Sequence, residues 1–352
     1  MEKKEIKIGI YKDQITKTNE FNDNFEKILD YYGYKPIRMN INDPDFWEKV
    51  KDLDLFIYRY SVFDDTKQIA ETILPIIESH YKIMVIPQQN CCWQYDDKIK
   101  EYYLSMCYDL PMVQSWIFWD RKKAIAWSKT ANYPLVFKLK GGASSTNVMM
   151  VKDKLEAKNL IIKMFSSGIY SNKLPLFKST RHLDFNIKNW IRNRLRFVYK
   201  TMKRKDYNLF WQVNKNYVFF QKYLPNNKFD TRVTLLGDRA FAFRRFNRTG
   251  DFRSSGSGQK DYCSDKIDPE IIKTAFKIGS KLKFQSMAFD FLYNEEHKPE
   301  FCEMSYTFPD RTIHELPGYW DPELNFHPGQ FWPQYLMLKD ILNLPDECPI
   351  DL

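Results

Sequence analysis

The sequence predicts a mixed α/β and α+β fold, in which a doubly wound, Rossmann-like domain comes first and two lobes follow it. Over the first hundred residues, short apolar runs alternate with segments of helical periodicity. Strands separated by helices form parallel βαβ units, and a doubly wound sheet is their usual outcome. Later in the chain the apolar runs follow one another with few helical segments between them, which indicates antiparallel pairing in the lobes.

The first domain has four predicted strands and two predicted helices. Each strand is a short apolar run, and each helix repeats apolar residues at intervals of three and four. No G-x-G-x-x-G sequence follows the first strand, so we expect no dinucleotide site there. The predicted strands are residues 5–11, 34–39, 53–60 and 83–87, and the predicted helices are 22–33 and 66–80.

Outside the basic segment 173–205, the rest of the chain has eight predicted strands and three predicted helices. Two strands are joined by the tight turn Leu236-Gly237-Asp238, and the last two by a polar hairpin at 294–298. The predicted strands are 115–119, 134–140, 147–151, 217–224, 230–237, 239–246, 287–293 and 299–306, and the helices are 96–106, 154–165 and 269–282.

The composition indicates an ordered protein without a membrane span. The 352 residues are enough to bury a large core in two or three packed units, and 43% of them are hydrophobic. No stretch approaches about 18 apolar residues, and the first apolar run is too short for a secretory signal. The six cysteines show no C-x-x-C pairing, which favours reduced thiols. We therefore expect a cytoplasmic protein.

Residues 173–205 account for the net positive charge of the chain. The whole chain has a formal net charge of +9, whereas this segment alone has six Lys and five Arg against one acid, Asp184. Within 184–205 the apolar and basic residues fall on different faces of a predicted helix. Such a helix suits an anionic membrane surface or a lipid-linked glycan, which would bring the protein to the inner face of the membrane. Packing of the helix on its own domain is the alternative, and nucleic acid is not expected because no recognition motif is present.

A turn rich in lysine and glycine between two predicted strands indicates a phosphate site. Glycines let backbone N–H groups approach an anion, hydroxyl groups add donors, and lysines neutralise its charge. The turn is not a Walker loop, because no G-K-[ST] sequence opens a helix, and a plain β-hairpin is the alternative. The residues concerned are Lys138, Lys140, Gly141, Gly142, Ser144 and Ser145.

Two carboxylates, Asp290 and Glu303, lie in neighbouring predicted strands with apolar residues beside them. Mg²⁺ prefers one or two carboxylates together with phosphate oxygens and water. Two adjacent antiparallel strands can present both acids to one cation, and a pair of solvated acids at a sheet edge is the alternative. The apolar neighbours favour the metal site, because an unpaired buried carboxylate is costly.

Six arginines fall within the 22 residues 232–253, and the five that we consider for anion binding are Arg232, Arg244, Arg245, Arg248 and Arg253. Guanidinium groups bind phosphate and carboxylate through two parallel hydrogen bonds. The alternative is that these arginines solvate one face of the protein. Arg253 and Ser254 lie in a loop rich in glycine and serine, 249–259, which we expect to hold the amine acceptor or the carboxylate substrate.

Taken in order along the chain, these motifs resemble the ATP-grasp superfamily. The segments PQQNCCWQYDDKIKEYYL, VFKLKGGASSTNV and VFFQKYL are similar to its first lysine segment, its phosphate loop and its adenine hinge. DTRV, FAFRRFN and DFRSSGSG are similar to the corresponding run in ribosomal-protein glutamate ligases, and MAFDF and FCEMS to the two magnesium strands. The resemblance covers residues 80 to about 310. It implies a Rossmann-like pre-ATP-grasp domain at 1–95, an ATP-grasp lobe at 96–222 with the basic insertion 173–205, and a second ATP-grasp lobe at 223–352.

The resemblance also implies roles for individual residues. The nucleotide would be bound by two lysines, the phosphate turn and the adenine hinge, namely Lys98, Lys138, Lys140, Gly141, Gly142, Ser144, Ser145, Gln221, Lys222 and Leu224. Mg²⁺ would be held by Asp290, Glu303 and Ser305. The catalytic residues would be Arg232, Arg245 and Arg253.

Two positions depart from the pattern of the superfamily. Ser305 stands where many relatives have the better ligand Asn, and Lys228 lies near the place of the usual ribose-binding acid. Both departures leave ATP binding expected, and both favour an alternative in which the protein is a degenerate nucleotide-binding scaffold.

The activity implied by the resemblance is the ATP-dependent joining of a carboxylate to an amine through an acyl-phosphate. The tail ELPGYWDPELNFHPGQFWPQ resembles that of ATP-grasp proteins of bacterial surface-polysaccharide synthesis, so we expect a small-molecule or glycan carboxylate such as a uronic acid. A phosphotransferase acting on a sugar is a further alternative. In the tail, a sugar-stacking wall or simple packing over the core would involve Trp320, Phe326, His327 and Trp332.

Overall fold

The computed structural model of the protein describes residues 6–12, 20–142, 147–171, 212–345, 348 and 352. The described residues form two compact units, one within Met1–Val62, Thr66–Ser115 and Gln221–Leu352, the other within Phe63–Asp65 and Trp116–Phe220. The predicted division into three domains stays a prediction, and the basic segment 173–205 lies outside the described residues. In the part that is described, no helix combines the length and the apolar character needed to cross a membrane.

The first unit opens with a parallel sheet, which confirms the predicted α/β start. Its strands β1 to β4 are Ile8–Tyr11, Ile37–Met39, Leu55–Ile57 and Met84–Ile86, in the order β2-β1-β3-β4. All three pairings are parallel. The helices α1 to α5 are Glu20–Tyr31, Phe46–Lys51, Asp64–Pro75, Gln89–Cys92 and Lys98–Cys107, with a π-helical segment Ile76–His80 after α3.

Two of these helices, α2 and α4, were not predicted. They have six and four residues, which is too short for an apolar repeat to stand out from the surrounding sequence. Helix α2 nevertheless buries Phe46 and Val50, which are one helical turn apart. Tertiary contacts therefore select these two helices, whereas α1, α3 and α5 are encoded by their own periodicity.

The second unit is built on the sheet β5-β10-β6-β7. The aromatic rings of Trp127, Phe137 and Phe220 pack together inside it, with centroids 5.2 and 5.7 Å from Phe220. The helix α6 was not predicted, although its N-cap Asp120 accepts a hydrogen bond from the N–H of Lys123. Strands β5 to β10 are Ser115–Phe118, Leu135–Lys138, Val148–Val151, Ile169–Tyr170, Val213–Asn214 and Val218–Lys222, and helices α6 and α7 are Arg121–Ser128 and Lys154–Met164.

The first unit also contains a long antiparallel sheet with the order β15-β14-β11-β12-β16-β17, and β13 pairs with β12. Its four long strands and helix α8 were predicted within one or two residues of their bounds. Strands β11 to β17 are Phe229–Leu236, Arg239–Phe246, Lys260–Asp261, Ser286–Tyr293, Pro299–Ser305, Gly318–Trp320 and Phe326–Pro328. Helices α8 to α10 are Pro269–Leu282, Asp310–His314 and Pro333–Leu342.

The two faces of this antiparallel sheet differ. One face packs on the apolar side of α8, so that Val233, Phe289 and Ile271 belong to one core. The other face is apolar at one end, where Phe241 and Ala288 are buried in a second core. Because side chains alternate along strands, the other end of that second face is lined by the charged residues of β11, β12, β14 and β15.

A β-bulge in β15 makes this arrangement possible. Asp290 pairs with Glu303 and the next residue, Phe291, pairs with Phe301, so Cys302 has no register partner on β14. The extra residue turns the strand, as bulges do. As a result Phe301 is buried in the apolar core while Glu303 lies on the charged face.

We predict that the cysteines differ in reactivity. Burial raises the pKa of Cys91 to about 11 and that of Cys92 to about 12, whereas Cys107 and Cys263 are exposed. Because the thiolate is the nucleophile, a disulfide reagent at pH 8 should label Cys107 and Cys263 quickly and the buried pair only after denaturation. Rapid labelling of native Cys91 or Cys92, identified by peptide mass, would contradict the packing described here.

Candidate functional site

One face of the antiparallel sheet carries five charged side chains at one end. The register places Arg232 of β11 opposite Asp290 of β14, and Asp290 opposite Glu303 of β15. On the other side of β11, Asp230 lies opposite Arg245 of β12. Because side chains alternate along a strand, all five project from the same side of the sheet. The sheet thus brings together four residues that the sequence had singled out separately.

The two arginines and two aspartates form a buried ion-pair network. Arg232 donates from Nε and Nη2 to the two oxygens of Asp290, at 2.7 and 2.9 Å. Arg245 donates to both oxygens of Asp230, at 2.7 and 2.6 Å, and its Nη2 lies 2.7 Å from Oδ2 of Asp290. The side chains of Asp230, Arg245 and Asp290 are at most 9% exposed. Each charge therefore has a protein partner in place of water.

The network holds its members in their charged forms through opposing effects. Burial would raise the pKa of Asp290, but the guanidinium groups of Arg232 and Arg245 hold it well below its usual range. Burial raises the pKa of Asp230. Arg245 lowers it but offsets only part of that effect, and the charge of Asp290 raises it further. Burial would lower the pKa of Arg245, but the two aspartates raise it. Asp290 is consequently an ionised, fully neutralised carboxylate at neutral pH.

Lys98 reaches the same end of the sheet from helix α5. Asp97 caps this helix by accepting hydrogen bonds from two N–H groups of its first turn, so Lys98 is the first helical residue. The Lys98 ammonium lies 3.1 Å from Oε1 of Glu303, and its side chain is 2% exposed, against 33% for Glu303. Burial would lower the pKa of Lys98, but nearby carboxylates, Glu303 foremost, raise it. Glu303 is thus paired and still accessible to a ligand.

Ser305, the third predicted metal ligand, lies two residues beyond Glu303 and takes part in local hydrogen bonds. Its Oγ accepts from the N–H of Thr307 at 3.1 Å and lies 2.9 Å from Oγ1 of Thr307. Oγ1 of Thr307 in turn donates to the hydroxyl of Tyr95 at 3.2 Å. The structure shows Ser305 stabilising the turn after β15, and its role as a metal ligand stays a prediction.

The predicted phosphate lysines lie in the second unit. Lys138 is the last residue of β6 and is only 6% exposed. Two residues later, the backbone N–H of Lys140 donates to the hydroxyl of Tyr217 at 2.8 Å, and that hydroxyl donates to Asn214. The end of β6 is therefore fixed where the glycine turn begins.

The glycine turn itself is described at Gly141, Gly142 and Asn147, whereas Ser144 and Ser145 lie outside the described residues. Gly142 has a φ of +124°, a conformation that side chains disfavour, and a Cβ at this position would lie 2.0 Å from Nδ2 of Asn147. Nδ2 of Asn147 donates to the carbonyl of Gly141 at 2.8 Å. Only glycine fits at position 142, and a backbone without a Cβ is what close approach to a phosphate requires.

The predicted adenine hinge lies at the end of β10. The Gln221 side chain is buried, and its Nε2 donates to Oγ of Ser115 at 3.1 Å. The N–H of Lys222 donates to the carbonyl of Gln114 at 2.8 Å, and its ammonium lies 2.6 Å from Glu295. Gln221 therefore holds the hinge to the neighbouring chain segment, and its contact with adenine stays a prediction.

Beyond the hinge, Leu224 is buried and borders a pocket of about 360 Å³. Lys228, Phe229 and Tyr293 also line this pocket. In the sequence, Lys228 lies near the position where relatives usually have a ribose-binding acid. The structure shows that this lysine, rather than a carboxylate, lines the pocket.

The 249–259 loop, which contains Arg253, makes several local contacts. Arg253 donates from Nε to both carboxylate oxygens of Asp251, at 3.0 and 2.9 Å. Oγ of Ser254 donates to Oδ1 of Asn247 at 2.5 Å, and Arg248 donates to the carbonyl of Ser255 at 3.0 Å. The loop is thus internally braced, and the role of Arg253 toward a substrate stays a prediction.

Two buried acids of the site were not singled out from the sequence. Asp230 precedes Arg232 by two positions, and the period of a strand puts both on one face, which is the signal that would have found it. Glu101 follows Lys98 by one helical turn, and its Oε2 accepts from the N–H of Met304 at 3.1 Å. Asp230 thus holds the guanidinium group of Arg245 in place, and Glu101 holds the backbone of β15.

The aromatic tail is divided between core and surface. Trp332 is 7% exposed and stacks on His314 with ring centroids 4.0 Å apart, which agrees with the alternative of simple packing. His327 is half-buried, stacks on Tyr319 at 4.9 Å and lies 2.8 Å from Asp321. A sugar-binding role for the half-buried residues of the tail stays a prediction.

The donors present at the charged end of the sheet fit a polyphosphate better than a bare cation. Lys98, Arg232 and Arg245 are the kinds of group that bind phosphate oxygens. Of the carboxylates, Glu303 is accessible, whereas both oxygens of Asp290 already accept from guanidinium groups. Over the described ranges, no cluster of three or more His, Cys, Asp and Glu is arranged to hold a metal ion.

We predict that Asp230 is needed for stability. Asp230→Asn removes the charge that neutralises Arg245 in a buried setting, and loss of one partner of a buried pair costs about 3–5 kcal/mol of unfolding free energy. The matched control is Asp340→Asn, which breaks the exposed pair with Arg239 and should cost at most about 1 kcal/mol. Urea denaturation measures both, and equal small losses would show that the network is not buried in solution.

No protein-family model matches the sequence, and no curated protein matches it, but solved structures do. A RimK domain ATP-grasp protein from Sphaerobacter thermophilus DSM 20745 matches with a TM-score of 0.52 and 12% identity, over 87% of this chain and 93% of that one. The ATP-grasp ligase PsnB, solved with minimal precursor, Mg and ADP, matches with 0.51 and 11%, over 87% and 91%. The ADP complex of N5-carboxyaminoimidazole ribonucleotide synthetase matches with 0.60 and 11%, over 97% and 78%. The protein therefore has the ATP-grasp fold.

Proposed function

We propose that the protein is an ADP-forming ligase that uses ATP and Mg²⁺ to activate a carboxylate as an acyl-phosphate and then joins it to an amine. The observation that carries the proposal is the single sheet face on which Lys98, Arg232, Arg245, Asp290 and Glu303 meet. Two structural neighbours support it, since PsnB is a ligase solved with Mg and ADP and the ribonucleotide synthetase was solved with ADP.

The chain's own residues account for the first chemical step mainly through charge and position. Phosphoryl transfer spreads negative charge over the transferred oxygens, and fixed cations stabilise it without reorganisation. Lys98, Arg232 and Arg245 supply those cations on a rigid sheet and a capped helix. Mg²⁺ would supply further positive charge to neutralise the phosphates, and Glu303 is the accessible carboxylate that would hold it.

The glycine turn would supply the neutral part of phosphate binding. Its backbone at Gly142 would let a ligand approach closely because this residue has no side chain. Lys138, the last residue of the strand that leads into the turn, and Lys140, two residues later, would add positive charge. Proteins commonly bind polyphosphates with such a combination of backbone N–H groups and lysines.

The second step, attack by an amine, requires that water be kept from the acyl-phosphate. The 249–259 loop is the segment we propose for this role, with Arg253 and Ser254 facing the acceptor or the carboxylate. Its internal hydrogen bonds give the loop a defined shape.

We further propose that the carboxylate belongs to a precursor of a bacterial surface polysaccharide, such as a uronic acid. The resemblance of the aromatic tail to proteins of that kind supports this, together with the excess of basic residues at 173–205, which suits an anionic or lipid-linked glycan at the inner face of the membrane. The protein would then act in the cytoplasm as a peripheral enzyme.

The proposed activity can be tested with purified protein, ATP, Mg²⁺ and a panel of uronates and amines. We expect ADP and free phosphate in equal amounts with the correct pair. Glu303→Gln should lower turnover by about 100-fold or more, because an electrostatic group at the reacting phosphate is lost. Glu323→Gln, which changes an exposed carboxylate of the tail, is the control for loss of a negative charge.

The products distinguish the alternatives. ADP without free phosphate, accompanied by a phosphorylated sugar, would replace the ligase by a phosphotransferase. Nucleotide binding without turnover on any substrate of the panel would favour a nucleotide-binding scaffold.

Nucleotide binding by the glycine turn generates a separate prediction. Gly142→Ala should weaken ADP binding, measured by isothermal titration calorimetry, about tenfold or more, because a Cβ at φ +124° strains the backbone and displaces Asn147. Gly33→Ala is the matched control, since Gly33 also has a positive φ of +80° but nothing lies within 4 Å of its Cβ position. Unchanged ADP affinity in Gly142→Ala would remove the turn from the nucleotide site.

A further inference from the structure

We propose that Arg232 blocks the metal position at Asp290, so that the site admits a divalent cation there only together with a polyphosphate that draws Arg232 away. The identity of that polyphosphate as ATP or ADP rests on the proposed function. The blocking itself rests on the geometry of the ion network. Arg232 would thereby make the site reject a divalent cation that is not accompanied by a polyphosphate.

The contacts of Asp290 leave little room for a cation. Oδ1 accepts from Nε of Arg232 at 2.7 Å, and Oδ2 accepts from Nη2 of Arg232 at 2.9 Å and from Nη2 of Arg245 at 2.7 Å. The guanidinium fork of Arg232 lies across both oxygens, where a bridging or bidentate cation would bind. Mg²⁺ needs oxygens at about 2.0–2.1 Å in near-octahedral geometry, so the fork has to leave first.

Arg232 is the arginine that can leave. Arg245 is held by both Asp230 and Asp290, and its side chain is 9% exposed. Within the described part of the chain, the ion pair of Arg232 is with Asp290 alone, and its side chain is 18% exposed. If Arg232 turns away, Asp290 keeps the guanidinium of Arg245 as one partner and gains a free edge.

Charge explains why a bare cation cannot drive this exchange. The cluster contains four carboxylates, Asp230, Asp290, Glu303 and the Glu101 beside Lys98, and three cations, Lys98, Arg232 and Arg245, so its formal charge is −1. A divalent cation alone would turn this into an uncompensated positive charge in a largely buried place, which is costly. A nucleotide polyphosphate brings negative charge that both compensates the cation and offers Arg232 new oxygens to bind.

The test uses Mn²⁺ as the probe, with the free ion followed by electron paramagnetic resonance. The wild-type protein should bind Mn²⁺ at least about tenfold more tightly when ADP is present than when it is absent, after the Mn²⁺ that ADP binds in a protein-free control has been subtracted. Arg232→Gln should bind Mn²⁺ without ADP at least about tenfold more tightly than the wild type does, because the fork that covers Asp290 is gone. Adding Asp290→Asn to Arg232→Gln should abolish that gain.

The matched control is Arg239→Gln. Arg239 also makes a two-point pair with an aspartate, Asp340, at 2.9 and 3.0 Å, and its side chain is likewise 18% exposed, but it lies away from the site at the other end of β12. This variant should leave Mn²⁺ binding unchanged. Should Arg232→Gln fail to fold, Arg232→Lys replaces it, because lysine keeps the charge without the fork, and a smaller gain of the same sign is expected.

Two results would overturn the proposal. One is a wild-type Mn²⁺ affinity that does not depend on ADP, and the other is an arginine variant that folds and shows no gain in Mn²⁺ affinity. Failure of the wild type to bind ADP at all would instead count against the proposed function, and the gain in Arg232→Gln without ADP would still support the blocking role of Arg232.

Discussion

The pairing of Asp290 with Arg232 and Arg245 is the interaction on which the arrangement of the candidate site depends. The Asp290 side chain is only 7% exposed, so its carboxylate is largely desolvated. It is stable there only because two guanidinium groups replace the lost water. Those groups come from β11 and β12, so the requirement to neutralise Asp290 constrains the register of three strands at once. A shift of one residue in any of them would turn a charged side chain into the apolar core and an apolar one toward the charges. The same contacts that build the sheet therefore also build the site.

The bulge at Cys302 extends this constraint to the edge strand. If 301–303 formed a regular strand without the bulge, Phe301 and Glu303 would both lie on the side of the sheet opposite to Met304, and one of them would be misplaced. With it, Phe301 packs in the core and Glu303 meets Lys98 at 3.1 Å. Helix α5 is thereby tied to the sheet through a charge pair, and the most exposed carboxylate of the cluster is the one that faces a buried ammonium. An accessible anion beside a fixed cation is a suitable place for a metal–phosphate complex.

The regular elements were predictable because their signals are local. The four parallel strands are short apolar runs, and α8 combines an N-cap at Asp268, a proline at the first position and a buried apolar stripe, so that its predicted and observed bounds coincide. The short helices α2, α4 and α9 and the two-residue strands carry no such signal, because a few residues cannot show a period. Their conformation depends on what packs against them. The site residues were predictable in type for a related reason, since glycines in a lysine-rich turn and arginines near acids are unusual in a structural core.

By itself the sequence determined the order of the elements, the alternation that leads to a parallel sheet, and the identity of most charged residues of the site. It did not determine their partners. From the sequence, Asp290 and Glu303 were predicted as two acids that bind one metal cation. In the tertiary structure Asp290 pairs with two arginines and Glu303 pairs with Lys98. Asp230 was passed over altogether, although it holds Arg245 in place. The physical reason is that a strand pattern fixes which side a residue faces, whereas its neighbour across the sheet is set by register and by bulges, which depend on the packing of the whole unit.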